Sequence, residues 1–209
     1  ADDRRFTRHH GTDFLDHLAN ITSVCLENAI NRARLVRSGI TDVLTGWNNR
    51  RYLQNRLLEE LARAQRNDTS LACLLIDVDH FKSVNDNFGH LAGDFVLKEI
   101  ADRVEAQVRA SDVAARYGGE EFALLLPDTR ARDALILAER IREAIDLGPV
   151  VLDSGQRIPV TVSIGISSVR PARSAADLKS LGEKLIAEAD VQLYRAKSDG
   201  RNAVRRAED

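Results

Sequence analysis

The chain has 209 residues, 44% hydrophobic and 30% charged, with a net charge of −2. That size allows one well-buried domain plus an extension, and the composition is that of a globular protein. The near-neutral balance gives no general pull toward a nucleic acid polymer or an anionic membrane, and the longest apolar run, LACLLI at 71–76, is far too short to span a bilayer.

The chain lacks methionine and begins ADDRRF, which predicts a piece excised from a longer protein. Residues 13–37 read as one long helix, with Leu15, Leu18, Thr22, Cys25 or Leu26, Ala29, Ala33 and Val36 at near-heptad spacing. That stripe fits a coiled-coil seam between two chains and equally an amphipathic helix lying on its own domain. Cys25 and Cys73 show no paired or CxxC spacing, which predicts reduced thiols in the cytosol, one on a helix and one in a core strand. SGITDVLTG then breaks the helical pattern at Gly39 and Gly46.

A regular alternation follows. Helical periodicity runs from Asn48 to Gln65, and Leu71 to Val78 has the length and apolarity of a buried strand. Residues 79–90 read as a polar loop, and Leu91 to about Val108 as a helix. Val113–Tyr117 and Glu121–Leu126 are short strands flanking Gly118-Gly119, hence a hairpin whose tip uses the positive φ angles open to glycine. Asp133–Ile145 is helical, Val160–Ser168 alternates as a strand, and Ala175–Lys197 is a long helix that Gly200 stops, with a last short strand at 202–204. Helices interleaved with strands and a hairpin predict an α/β sheet with helices packed on it.

Several polar residues interrupt this pattern where chemistry can occur. Asp77 and Asp79 end a strand that is otherwise Leu, Ile and Val, and Glu120 and Glu121 are adjacent like charges beside a turn. One such Asp is commonly a cap or turn former. If the two strands are neighbours, Asp77, Glu120 and Glu121 converge as hard oxygen ligands of the kind Mg²⁺ takes together with phosphate. In the following segment Lys82 can neutralise phosphate, while Asn85 with Asp94 can match the N1–H and N2–H₂ donors of guanine. Asp94 is also an ordinary acid for the first turn of a helix, and Lys197 and Arg201 are ordinary cations for the end of one. No GxxxxGK[ST] loop is present, and His80 and His90 lack metal-type spacing, so both read as loop residues.

Together these stretches resemble the GGDEF family, the diguanylate cyclases. The likeness covers about residues 40–209 and rests on DVLTGWNNRR (42–51), IDVDHFKSVNDNFGHLAGD (76–94), RYGGEEF (116–122), TVSIGIS (161–167) and YRAKSDGRN (194–202). Two departures stand out: Trp47 replaces the usual Leu, and the hallmark reads GGEEF, with Glu120 keeping the carboxylate. The resemblance implies an α/β (α+β), palm-like nucleotide-cyclase fold, with a mostly antiparallel five-stranded sheet surrounded by helices and preceded by a long signalling helix. It implies condensation of two GTP into cyclic di-GMP with release of two pyrophosphates, in the cytoplasm, by a homodimer whose chains each hold one GTP.

By motif, Asp77, the Val78 carbonyl, Glu120 and Glu121 would hold Mg²⁺ (or Mn²⁺), two ions per site, with Glu121 helping to deprotonate the 3′-hydroxyl. Asn85 and Asp94 would read guanine. The Phe81 N–H, Lys82, Lys197 and Arg201 would meet phosphates, and Gly118 and Gly119 would let backbone approach the nucleotide. RASD, Arg109 to Asp112, fits the family's RxxD inhibitory site for its own product, with Arg140 as a secondary arginine often supplied across a dimer. The bland reading of that motif is a salt bridge between Arg109 and Asp112. Residues 1–39 lie outside the likeness, and RRFTRHHGTDFLDHLANITSVCLENAI is similar to the last strand and helix of a GAF-like sensory domain. Two other readings compete with an active enzyme: a non-catalytic receptor binding cyclic di-GMP through Arg109 and Asp112, and a structural dimerisation module. The second leaves the acids unexplained.

Overall fold

The computed structural model describes residues 18, 19, 21–27 and 39–207. The chain divides into two compact units, residues 1–39 and 40–209. In the first, residues 18, 19 and 21–27 are helical, and Leu18, Ile21, Val24 and Leu26 are exposed. The remainder of the expected helix at 13–37, and most of the GAF-like tail, lie outside the described residues.

The second unit contains, in order, β1 (Asn48–Asn49), α1 (Arg50–Asn67), β2 (Leu71–Val78), α2 (Phe81–Phe88), α3 (His90–Glu105), β3 (Val113–Arg116), β4 (Glu121–Pro127), α4 (Ala131–Asp146), β5 (Val150–Val151), β6 (Arg157–Ile158), β7 (Val162–Val169), α5 (Leu178–Ser198) and β8 (Val204–Arg206). The main sheet runs β1-β3-β4-β2-β7-β8, with β5 and β6 forming a separate small hairpin. Its four inner strands pair antiparallel, while the edge pairs β1–β3 and β7–β8 are parallel.

β2 explains the layering. All eight of its residues are buried, and strand alternation divides them between two cores. Leu71, Cys73 and Leu75 pack with Leu53, Leu57 and Leu61 of α1 and with Leu185 and Leu193 of α5. Ala72, Leu74, Ile76 and Val78 pack with Val96 and Ile100 of α3 and Ile141 of α4. Removing one such fully buried side chain, as in Leu74→Ala, would cost about 2–5 kcal/mol. At Gly165 of β7 a Cβ would run into backbone atoms of Ala189 and Leu193, so glycine there lets α5 lie directly on the sheet.

Three local expectations change. The stretch at 79–90 is mostly helix, not loop: α2 buries Phe81 and Val84 and exposes Lys82, Ser83, Asp86 and Asn87. Two turns rich in Ser, Asn and Asp carry too little periodicity to be read from sequence. Gly89, at φ 84°, separates α2 from α3, which ends at Glu105 and not near Val108. The sheet has a sixth strand, because Asn48 and Asn49 pair with Ala115 and Arg116 rather than opening α1. Asn49 instead caps that helix, its side chain accepting the Tyr52 N–H at 3.1 Å. The β5–β6 hairpin was not visible in the sequence, its strands being two residues each.

Candidate active site

The polar end of β2 meets the β3–β4 hairpin at one edge of the core. Asp77 stands opposite Glu121 on one side and Ser163 on the other. One residue further, the Val78 N–H donates to the Glu120 carbonyl at 3.2 Å, and the Asp79 N–H to the Thr161 carbonyl at 2.9 Å. Asp77 continues the face of β2 that packs on α5, and α5 answers with Lys197, whose Nζ lies 2.7 Å from Asp77 Oδ2. Asp77 is only 5% exposed. Burial pushes its carboxyl above the usual range; the Lys197 bond and charge oppose that, the Asp79 charge adds to it, and Arg201 lowers it again.

Glu120 is raised for a related reason. Burial comes first, then the negative charge of Asp77; Lys197 partly offsets both and Glu121 adds to them. The expected convergence of three carboxylates is therefore electrostatic rather than a ready-made cage. Among the described residues no three Asp, Glu, His or Cys side chains are gathered as a metal cluster, and Asp77 is held by an internal cation. Two acids made harder to ionise by burial and by neighbouring negative charge, Asp79 for Asp77 and Asp77 for Glu120, constitute a demand for positive charge. The donors on offer are carboxylate and carbonyl oxygens, which suits a hard divalent ion such as Mg²⁺.

The Gly118-Gly119 turn is not built as expected. Neither glycine has φ in the left-handed region. A Cβ at Gly118 would run into the Glu121 carboxylate, whereas Gly119 faces open space. The tip is fixed instead by Tyr117 and Gly118 N–H groups donating to the Glu121 carbonyl (2.7 and 3.1 Å) and by Arg116. Arg116 donates through Nε and Nη2 to the Gly119 carbonyl (3.2 and 2.6 Å) and through Nη1 to both oxygens of Asp42 (3.2 Å each). Burial would raise the Asp42 carboxyl, but the Thr45 N–H and hydroxyl and the Arg116 charge outweigh it and hold it below the usual range. The turn at 42–47 is thereby bolted to the acid-bearing hairpin. Sequence reading placed Arg116 and Asp42 inside motifs but gave neither a task, because their 74-residue separation hides the contact.

The remaining candidates lie on α2, on α3 and in the turn after α5. Phe81 is buried at the start of α2, with Lys82 exposed beside it and His80 before it at φ 56°. Asn85 packs its side chain against Gly93 of α3, where a Cβ would collide with Asn85 Oδ1. Asp94, one residue on, is exposed. Beyond α5, Gly200, Arg201 and Asn202 all have positive φ (109°, 67° and 44°).

A separate constellation lies behind β3. The Arg109 N–H donates to Asp112 Oδ2 at 2.8 Å and the Asp112 N–H to the Arg109 carbonyl at 3.0 Å. The bland expectation of a side-chain salt bridge between them is replaced by this self-capped turn. Arg140 of α4 donates to the Gln107 carbonyl at 2.5 Å. Arg109, Asp112, Arg140, Leu126 and Ile136 line one cavity of about 230 Å³, with Arg140 coming from the same chain. A second cleft, of about 450 Å³, opens on the other side of Arg109 and Asp112 toward Trp47 and Asn48.

The chain belongs to the GGDEF family: the family model described as "Diguanylate cyclase, GGDEF domain" matches residues 39–203. The chain is 42% identical over 192 residues to the response regulator PleD of Caulobacter vibrioides, covering 91% of this chain and 39% of that protein. It is 37% identical over 204 residues to diguanylate cyclase A of Treponema denticola, covering 94% and 52% respectively. The chain thus spans about half or less of these relatives. Among solved structures, the coiled coil and GGDEF domain of DgcB from Caulobacter crescentus, in complex with c-di-GMP, superposes with a TM-score of 0.83 at 28% identity, covering 93% of this chain and 99% of that one. Among the described residues, no helix is long and apolar enough to cross a membrane.

Proposed function

We propose that the protein is an active diguanylate cyclase, joining two GTP molecules into cyclic di-GMP and releasing two pyrophosphates. The observation that carries this reading is the register setting Asp77 opposite Glu121 while Val78 is bonded to Glu120. It puts three acids of otherwise unexplained repulsion at one strand end, within reach of a lysine and an exposed arginine.

In this reading, guanine sits between α2 and α3, where Asn85 and Asp94 accept its N1–H and N2–H₂. Asn85 is pre-set by its packing on Gly93. The start of α2 presents the Phe81 N–H and Lys82 to phosphate, aided by the positive end of the helix. Lys197 and Arg201 take the terminal phosphates, so Lys197 exchanges its bond to Asp77 for one to the nucleotide. Asp77, the Val78 carbonyl, Glu120 and Glu121 would hold two Mg²⁺ (or Mn²⁺) ions, which when bound neutralise phosphate charge and favour ionisation of the 3′-hydroxyl.

Each 3′-oxygen forms a bond to the α-phosphorus of the other GTP. The bond from that phosphorus to the pyrophosphate oxygen breaks, pyrophosphate leaves with the electron pair, and Glu121 assists removal of the 3′-proton. With one GTP per chain, two chains must face each other, and a cytoplasmic homodimer is the acting form.

Product inhibition belongs to the same proposal. The cavity joining Arg109, Asp112 and Arg140 offers arginine donors for phosphate and guanine edges and an Asp acceptor for guanine donors. The same cavity would serve a non-catalytic receptor for cyclic di-GMP, but the full set of acids and phosphate ligands favours the enzyme. The deciding experiment incubates the protein with GTP and Mg²⁺ and resolves products by chromatography, with cyclic di-GMP and pyrophosphate expected. If a forcibly dimerised chain binds cyclic di-GMP but makes none, the receptor reading replaces the enzyme.

A further inference from the structure

Asp79 lies two residues beyond Asp77 and is just as buried, at 5% exposure, yet it faces a different set of partners. Its carboxylate accepts three hydrogen bonds. Thr161 Oγ1 donates to Oδ2 at 2.7 Å, Ser163 Oγ to Oδ1 at 2.6 Å, and the backbone N–H of Asn202 to Oδ2 at 2.9 Å. Two of these come from the entry and first residues of β7. The third comes from the turn after α5, 123 positions away in the chain.

That third bond matters because of what the turn is. Arg201 and Asn202 are consecutive non-glycine residues with left-handed backbone, a conformation that persists only when its surroundings hold it. The holding groups are visible. The Arg201 N–H donates to the Ala196 carbonyl at 3.1 Å. The Asn202 side chain is bonded to Arg142 (2.9 Å) and Asp146 (3.0 Å) of α4. Asp79 secures the Asn202 backbone from inside the sheet. Arg201 precedes Asn202 on this turn, four residues beyond the Lys197 that is bonded to Asp77.

We propose that Asp79 is a positioning residue: it anchors the turn at Asn202 to the end of β2, and so fixes Arg201 at that end of the sheet for the terminal phosphates of GTP. The functional half of this inference rests on the reading of Arg201 as a phosphate ligand given above. The chemistry fits a carboxylate better than any neutral side chain, since one group must accept from two hydroxyls and a backbone amide at once. It also explains why the strand carries two acids with opposite fates, one meeting Lys197 and the other fully bonded to neutral donors.

The test compares two ligands with Mg²⁺ present: 3′-deoxy-GTP, which keeps the phosphates but lacks the nucleophile, and GMP, which lacks the terminal phosphates. Asp79→Ala is expected to weaken 3′-deoxy-GTP by about tenfold and to leave GMP within about twofold. Hydrogen exchange at the Asn202 amide should accelerate in the same variant. Asp79→Asn keeps an oxygen acceptor for the turn and lets the Ser163 hydroxyl reverse its role, so it should restore most of the 3′-deoxy-GTP affinity. Ser163→Ala, which spares the bond to Asn202, should lower thermal stability without changing the ratio of the two affinities. Combining Asp79→Ala with Arg201→Ala should weaken 3′-deoxy-GTP no further than Arg201→Ala alone. Unchanged exchange at Asn202, or equal weakening of both ligands, overturns the inference. Faster exchange in Asp79→Ala together with a silent Arg201→Ala upholds the anchor and overturns the phosphate role of Arg201.

Discussion

The acid-bearing end of β2 and the cavity behind β3 make opposite kinds of site. At the first, burial and like charge leave Asp77 and Glu120 reluctant to ionise, and Lys197 fills part of the deficit. At the second, Arg109, Asp112 and Arg140 are gathered in one chain around a partly open cavity of about 230 Å³, with Asp112 and Arg140 each bonded to backbone. The acid-bearing edge thus has charges that lack balance, while the RxxD cavity is already assembled. Under the proposed function, that difference is what a feedback device would require: a sensor of product formed whether or not two chains face each other.

The strongest way to break this contrast is to remove charge from the acid-bearing edge. Glu120→Ala should lower turnover by about 10³-fold or more, read as cyclic di-GMP formed per unit time. Product affinity, measured by calorimetry, should stay near that of the unaltered chain. Activity surviving the change would refute the assignment of Glu120 to the metal.

Arg109→Ala attacks the other side of the contrast. It should raise the product concentration for half-inhibition by about tenfold or more, given the strength of arginine–phosphate bonds. Unchanged inhibition would sink the role assigned to the cavity.

Arg116 sharpens the comparison because it bonds the acid-bearing hairpin and does not line the cavity shared by Arg109, Asp112 and Arg140. Arg116→Ala frees the Gly119 carbonyl and Asp42 together, and should cost about 1–2 kcal/mol of stability in urea unfolding. It should also lower turnover by about tenfold through a misplaced Glu120. If product affinity falls in parallel, the two sites are mechanically one.

The smallest effect is the pH dependence. The folded-state pKa of Glu120 lies above its ordinary value of 4.5. The folded chain therefore binds more protons than the unfolded chain between those two values, and without metal it loses stability as pH rises through that window. Glu120→Gln removes this loss. The unfolding free energy of Glu120→Gln minus that of the unaltered chain should rise with pH by about a few tenths of a kcal/mol after solvent screening. Mg²⁺ affinity should rise across the same window, because ionisation of Glu120 must precede its use as a ligand. A difference that shrinks with pH would overturn the direction assigned to Glu120.

Much of this molecule is legible along the chain. The run 71–78 announces its strand by length and apolarity, and α4 and α5 announce themselves by periodicity. The motif at 116–122 states its hairpin and its acids together. Legibility fails where structure depends on partners distant in sequence or on elements too short to repeat. α2, β1 and the β5–β6 hairpin are of the second kind. The Gly118-Gly119 turn differs in another way: neither glycine takes a positive φ, and the close neighbour there is the Glu121 carboxylate against Gly118.

Sequence alone determined which residues carry charge and donors and which strands alternate into a core, because composition and period are local properties. The RxxD tetrapeptide and the GGEEF hairpin are of this kind, as is family membership. Tertiary structure alone decided which of two neighbouring acids meets a lysine and which anchors a turn. Asp77 and Asp79 are indistinguishable by spacing. They part company because β2 ends at Val78: Asp77 lies within the strand with its side chain toward α5, whereas Asp79 lies past it beside β7 and the turn at Asn202. Contacts across 120 and 123 positions of chain set their roles, and no local pattern encodes those.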